Sequence, residues 1–223
     1  MDKITQQQLT VSKTARYFLL GEPSAEIRHV WFVCHGYGQL ASYFLKKFEP
    51  VAAADTLVVA PEGLHRFYTD GFSGRIGASW MTKEDRADDI HDYINMLESV
   101  SQNVLAAIPQ PVKIHVLGFS QGAATVVRWL ANSELVPDSL TLWCSFFPPD
   151  VDWLAERKNN KQPDTHIVLA SDDVFIKPEE GEKQLQLLYQ SGLRFTAHRF
   201  DGKHTVDAVM LKKLAAVLYE EPE

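Results

Sequence analysis

Cysteine is scarce in this sequence, and long apolar runs are missing. The 223 residues include only two cysteines, Cys34 and Cys144. Both lie in apolar segments that predict buried strands, so we expect two free thiols in a reducing compartment. No apolar stretch approaches the roughly 20 residues that a membrane helix requires, and the opening residues MDKITQQQLT lack the apolar core of a signal peptide. These absences predict a cytoplasmic protein with no stable membrane insertion.

Basic residues are also in the minority. The chain has 22 Lys and Arg against 29 Asp and Glu, a formal net charge of −7, which argues against nucleic acid or an anionic membrane as its main partner. Internal repeats, low-complexity tracts and Pro/Gly/Ser-rich linkers are missing too. A length of 223 residues with 45% hydrophobic content therefore predicts one domain, residues 1–223, with a substantial core.

What the sequence does contain is an alternation of strand and helix patterns. Short apolar runs without strict polar alternation predict strands buried on both faces: HVWFVC (29–34), TLVVA (56–60), KIHVLG (113–118), SLTLWCSFF (139–147), HIVLA (166–170) and RFTAHRF (194–200). Helical spacing of apolar residues marks 84–107, 121–132, 179–191 and the C-terminal segment, and the first stretch suggests a β-hairpin turning near Ser12. The alternation indicates an α/β fold, a mostly parallel central sheet flanked by helices, with functional sites beyond the carboxyl ends of its strands.

One strand-to-helix corner carries a nucleophile motif. Gly118-Phe119-Ser120-Gln121-Gly122 is a G-x-S-x-G, and flanking glycines let the backbone bend tightly around an exposed serine. A serine hydroxyl needs a base to become nucleophilic. The helix that begins after Ser120 directs its amide groups toward a developing negative charge. Ser120 is the predicted nucleophile.

The positions of histidines and aspartates relative to the predicted strands indicate candidates for the catalytic base and acid. Among eight histidines, His204 follows the last predicted strand and so lies at the sheet edge where Ser120 emerges. Two adjacent carboxylates, Asp172 and Asp173, follow the strand HIVLA, and spacing alone does not separate them. The order Ser, Asp, His along the chain is that of the α/β-hydrolase fold.

An oxyanion requires two backbone N–H donors. The amide of Gln121, directly after the nucleophile, is one candidate. The loop His35-Gly36-Tyr37-Gly38 follows an earlier strand and offers the amide of Tyr37 as the second. His35 lacks a companion cluster at metal-ligand spacing, so we expect it to shape the loop. No cofactor and no metal are expected.

These motifs together resemble the phospholipase/carboxylesterase family, the acyl-protein-thioesterase-like group of small α/β-hydrolases. HGYG, GFSQG, a late Asp-x-x-Ile and a terminal His occur in the same order, and the likeness spans roughly residues 28–218. The resemblance implies Ser120 as nucleophile, His204 as base, and no separate cap domain. It aligns Asp173 with the family's acid, although the usual His and Gly of that motif are missing. Phe146 stands where the family usually has glycine.

A glycine-rich, aromatic loop, residues 61–80, follows the second apolar strand and should overhang Ser120. Phe67, Tyr68 and Trp80, together with Phe146, are candidates for lining a substrate groove, with Arg66 or Arg75 meeting a polar group. The alternative interpretation is that these aromatics pack the loop onto the body of the protein.

The expected function is hydrolysis of carboxylic esters or thioesters, with a small molecule or an acyl-lipid as substrate. A peptidase or lactonase with the same machinery is one alternative, and a non-catalytic binding module on this fold is another. The sequence does not decide whether the protein is a monomer or a homodimer.

Overall fold

A seven-stranded sheet organises the structure, a computed structural model that describes residues 4–156 and 161–220. Its strands are β1 (Tyr17–Leu20), β2 (His29–Cys34), β3 (Thr56–Pro61), β6 (Lys113–Phe119), β7 (Ser139–Trp143), β8 (Asp164–Ala170) and β9 (Thr196–Phe200). They follow the spatial order β1-β3-β2-β6-β7-β8-β9. β1 pairs antiparallel with β3, and the other neighbouring pairs are parallel. A separate antiparallel hairpin consists of β4 (His65–Tyr68) and β5 (Ile76–Ser79).

Helices cover both faces of the sheet. They are α1 (Ala41–Leu45), α2 (Arg86–Ala106), α3 (Gln121–Asn132), α4 (Trp153–Glu156), α5 (Pro178–Gln190) and α6 (Ala208–Tyr219), with a 3₁₀ turn at Lys46–Val51 after α1. Alternate β2 residues enter opposite cores: Phe32 packs in the cluster that includes α2 and α3, whereas Trp31 packs with α1 and α6. Both faces of the strand are therefore apolar, which explains why its sequence lacks polar alternation. The predicted α/β architecture is confirmed, and the described residues contain no separate cap domain.

Two local predictions were wrong. The N-terminal stretch forms no hairpin, because residues 4–16 carry no strand and the chain enters the sheet only at β1. Ile4, Leu9 and Val11 are 98%, 87% and 72% exposed, so their alternation has no apolar surface to pack against. The 61–80 stretch is more ordered than a loop, since it contains the β4–β5 hairpin, and Gln39 bridges to Ala78 beside it.

The parallel strands bring four loops to one edge of the sheet. The residues that follow β2, β6, β8 and β9 all lie at carboxyl ends, where a site is expected. Ser120, Asp173 and His204 are in three of these loops, and Tyr37 is in the fourth. Within the described ranges, no helix is long and apolar enough to cross a membrane. That residues 1–223 form one domain stays a prediction.

Candidate active site

Ser120 occupies a strained backbone corner between β6 and α3. Its φ and ψ are 53° and −118°, a conformation that favours glycine. The flanking glycines are required by close approaches: a Cβ on Gly118 would lie 2.4 Å from Cα of Ala123, and one on Gly122 would lie 2.2 Å from the carbonyl oxygen of Cys34. The corner therefore projects the serine side chain from the sheet edge, as the motif predicts.

Asp173 and His204 form a hydrogen-bonded pair. The Nδ1 atom of His204 donates to Oδ2 of Asp173 at 2.7 Å. The side chain of Asp173 is 1% exposed, and that of His204 is 14% exposed. Asp172 differs: it is exposed, and its backbone amide donates to the carbonyl of Gly202. The geometry thus places Asp173 rather than Asp172 against the histidine.

Several donors keep Asp173 ionised despite its burial. Its Oδ1 atom accepts the backbone amides of Phe175 and Ile176 at 2.8 and 3.2 Å. Desolvation by burial raises the pKa of this carboxyl group, but hydrogen bonds from His204 and from the Phe175 amide outweigh it and leave the pKa below its ordinary value. A carboxylate held in this way fixes the imidazole so that Nε2 is the ring nitrogen left for another partner.

Aromatic rings enclose the imidazole of His204. The ring of Phe119 lies 4.9 Å away between centroids, and that of Phe175 lies 4.7 Å away in an edge-on arrangement. Because Phe119 directly precedes Ser120, this contact brings the histidine to the corner. The arrangement gives a serine and a buried Asp–His pair at the same sheet edge.

The loop after β2 lies against the same corner. A Cβ on Gly36 would fall 2.9 Å from the Phe119 ring and 3.2 Å from Cβ of Ser120, so only glycine fits there. The amide of Gly36 donates to Oε1 of Gln39 at 2.9 Å, which fixes the turn. Among the described residues, the amides of Tyr37 and Gln121 have no acceptor. Two unpaired backbone donors beside a serine are what an oxyanion requires.

His35 anchors this loop from below, as expected for a histidine that shapes it. The residue is fully buried; its Nδ1 atom donates to the Gly36 carbonyl at 2.8 Å, and its Nε2 atom accepts the Gly63 amide at 3.0 Å. This pattern fits only the neutral imidazole. Burial lowers the pKa of His35 to about 4.

The side chain of Gln121 has a second, structural role that the motif alone did not predict. Its Oε1 atom accepts the Trp80 amide at 3.2 Å, and its Nε2 atom donates to the Met81 carbonyl at 3.0 Å. The residue therefore ties the start of α3 to the segment after β5 while leaving its own amide unpaired. The local sequence pattern around Gln121 gives no signal for a contact with so distant a segment.

The four aromatic candidates for a substrate groove have different environments. Phe67 is half-buried and its ring packs 5.2 Å from that of Tyr37, while Tyr68 is 49% exposed. Phe146 is half-buried against the cluster at β8. Trp80 is fully buried, and its Nε1 atom donates to the His35 carbonyl at 2.8 Å. Trp80 thus packs in the core and supports the loop, which is the alternative interpretation of these aromatics.

Cys144 is a site neighbour that the sequence analysis missed. It follows β7 at a φ of 50°, and its buried thiol lies within 4.8 Å of a carboxylate oxygen of Asp173. Burial first, and the carboxylate second, raise the pKa of this thiol. Donor atoms of Cys144, Asp173 and His204 lie within 4.8 Å of one another, the one such trio found in the described part of the chain. Since Asp173 and His204 already bond each other, we interpret the trio as a pair supported by a thiol.

Comparison with known proteins agrees with this geometry. The model of the Phospholipase/Carboxylesterase family matches residues 17–221, while no curated protein sequence matches the chain. Similar solved structures include esterase PE8 (20% identity, TM-score 0.71, 92% of this chain and 98% of that one). Zea mays acyl-protein thioesterase 2 is 15% identical with a TM-score of 0.66, over 92% of this chain and 99% of that one. A Bacillus cereus carboxylesterase is 15% identical with a TM-score of 0.64, over 92% and 93% of the two chains.

These structural likenesses establish the α/β-hydrolase fold, and the family match extends over nearly the whole chain. The sheet order, the strained corner at Ser120 and the Asp173–His204 pair are consistent with both. The protein belongs to the phospholipase/carboxylesterase family.

Proposed function

We propose that the protein is a serine hydrolase that cleaves carboxylic esters or thioesters through an acyl-enzyme. The observation that carries the proposal is the meeting of the strained Ser120 corner with the buried Asp173–His204 pair at one sheet edge. Family membership favours the same chemistry. A cytoplasmic location is part of the proposal, because both free cysteines are buried and unpaired.

In the first half-reaction, Ser120 Oγ attacks the substrate carbonyl carbon. His204 Nε2 takes the hydroxyl proton, and Asp173 stabilises the imidazolium through Nδ1. The carbonyl oxygen becomes an oxyanion that accepts the amides of Tyr37 and Gln121. Loss of one such donor typically lowers kcat about 100- to 1,000-fold. When the carbon–oxygen or carbon–sulfur bond breaks, His204 gives its proton to the leaving alcohol or thiol.

In the second half-reaction, water replaces the leaving group. His204 removes a proton from water, and the resulting oxygen nucleophile attacks the acyl-serine carbon at the same oxyanion site. Collapse of this intermediate breaks the bond to Ser120 Oγ, which recovers the proton from His204. The products are the free acid and the original enzyme, so protons and bonds balance without a cofactor.

Labelling with a fluorophosphonate tests the nucleophile. Intact mass spectrometry of the wild-type protein should give a single covalent adduct, and Ser120→Ala should give none, because only an activated serine reacts. A folded wild-type protein that forms no adduct would contradict the enzyme proposal and favour a binding module.

Two neighbouring carboxylates provide a matched test of the acid. Asp173→Asn should lower kcat/KM for an activated ester by about 10⁴-fold, since an amide cannot hold the correct imidazole tautomer. Asp172→Asn is the control, because Asp172 is exposed and its side chain lacks a contact with His204. Equal losses in the two variants would remove Asp173 from the mechanism.

A further inference from the structure

An apolar groove lies beside the predicted catalytic residues, between α1 and the tip of the β4–β5 hairpin. It encloses about 600 Å³, a volume within the range of small-molecule sites. Its apolar walls come from Leu40, Tyr43, Phe44 and Ile76, and its other lining residues are Gln39, Lys47, Gly74 and Arg75. The groove thus combines an apolar floor with two basic side chains.

Three of the lining residues contact immediate neighbours of the catalytic groups. Gln39 accepts the Gly36 amide, one residue before Tyr37. The Phe44 ring stacks on Phe119, one residue before Ser120, with centroids 6.0 Å apart.

Lys47 provides the third connection. Its Nζ atom donates to Oγ1 of Thr205 at 2.8 Å, one residue after His204. The groove is therefore adjacent to the oxyanion loop, the nucleophile and the base at once. We expect one of the two arms of an ester held at Ser120 to extend toward this groove.

The charge of the groove contrasts with that of the whole chain. The net charge is −7, yet the described lining includes Lys47 and Arg75 and no Asp or Glu. Lys47 donates to a neutral hydroxyl, and no ion pair of the described residues involves either cation. By contrast, the neighbouring Arg66 pairs with Glu62 at 3.4 Å. The two groove cations thus lack a carboxylate partner within the described protein.

We propose that this groove binds an apolar arm of the substrate that ends in an anionic group, a carboxylate or a phosphate, held by Lys47 and Arg75. The inference rests on the proposed esterase function and adds the substrate class. The apolar walls take the chain, and the cations stabilise its charged end. A neutral ester of the same length fills the walls but leaves both cations solvated.

Paired substrates of equal length test the inference. The p-nitrophenyl monoester of octanedioic acid carries a terminal carboxylate, and p-nitrophenyl octanoate is its neutral counterpart. An exposed ion pair contributes a factor of about two to five, so the wild-type enzyme should favour the charged ester by about ten-fold in kcat/KM. The preference should fall as salt screens the pair. A third ester, with a terminal phosphonate, tells a carboxylate site from a phosphate site by which of the two charged esters is favoured.

Variants assign the preference to the groove. Lys47→Gln and Arg75→Gln should each reduce the charged-to-neutral ratio about three-fold, and the double variant should bring it near one. Lys113→Gln is the matched control for loss of one positive charge. Lys113 pairs with Asp138 at the start of β6, and Ser120 follows the end of that strand.

The outcomes separate the two proposals. A wild-type ratio near one, or a ratio unchanged in the double variant, would overturn the anionic groove while fluorophosphonate labelling of Ser120 still supported the esterase. A ratio reduced equally by Lys113→Gln would also overturn it, since general charge would then explain the preference. No adduct and no turnover of any ester would refute the esterase and the groove together.

Discussion

Buried neutral histidines should make the fold sensitive to mild acid. His35 and His115 are 0% and 1% exposed. Burial lowers the pKa of His35 to about 4 and that of His115 to about 3, from 6.5. The unfolded chain then binds more protons than the folded one below the ordinary histidine pKa, so stability is greatest above that pKa and declines as the pH falls through it.

The magnitude follows from the gap between the pH and the unfolded pKa. At about pH 5, each histidine costs about 2 kcal/mol, which is about 1.5 pKa units at 1.36 kcal/mol per unit. The two together cost about 4 kcal/mol, a large part of the 5–15 kcal/mol that stabilises a typical protein. Asp150, whose pKa falls to about 2 through its hydrogen bond with Arg128, stays ionised throughout this window. The histidines should therefore dominate the change.

Urea denaturation, followed by tryptophan fluorescence at about pH 7.5 and pH 5, measures this loss. His115 contacts Ser139 and His29 at 2.8 and 3.0 Å, so His115→Gln removes the titration while keeping a polar side chain. The variant should lose about 2 kcal/mol less than wild type between the two pH values. His91→Gln, at an exposed position on α2, controls for loss of a histidine. A wild-type pH dependence in His115→Gln would refute the reasoning.

Two further predictions concern single side chains. Ser120→Gly should be about 1 kcal/mol more stable than Ser120→Ala, which corresponds to a melting temperature higher by about 2–4 °C. The reason is that glycine relieves a backbone strain of about 1–3 kcal/mol, which exceeds the entropic cost of glycine. Equal melting temperatures for the two variants would argue against a strained corner. Arg128→Met should cost about 2–3 kcal/mol in urea denaturation, because Arg128 is 5% exposed and bonds both carboxylate oxygens of Asp150. An unchanged urea denaturation midpoint in Arg128→Met would contradict this prediction.

Elements that are buried on both faces were predictable from the sequence. The run 29–34 is a strand with those bounds, and 121–132 is a helix with those bounds. Both succeed because the apolar pattern is itself the condition for burial between layers. The run 139–147 was predicted too long, since β7 ends at Trp143. The turn at Cys144, with its positive φ, gives no signal in an apolar sequence.

Contacts between distant segments were the least predictable part of the site. Trp80 was a candidate for lining a groove, with packing onto the body of the protein as the alternative, because aromatics in a glycine-rich stretch indicate either role. Its burial depends on the carbonyl of His35, 45 residues earlier. The approach of Cys144 to Asp173 likewise depends on the pairing of two adjacent parallel strands, in which Trp143 at the end of β7 lies opposite Val168 of β8. The order of serine, aspartate and histidine along the chain was informative. Each of these residues follows a parallel strand, and the carboxyl ends of parallel strands lie close together at one edge of the sheet.

The proposed oxyanion site depends on backbone amides and not on side-chain donors. The proposed donors at Tyr37 and Gln121 are backbone amides, so a substitution of either side chain leaves the N–H group in place. What fixes these amides is a set of polar side chains behind them: His35 and Gln39 bond the backbone of Gly36, and Gln121 bonds the segment after β5. Tyr37 is 62% exposed, and its side chain does not contribute to the proposed oxyanion contact. Its ring packs against that of Phe67, and we expect variation at this position to change specificity before it changes the chemical step.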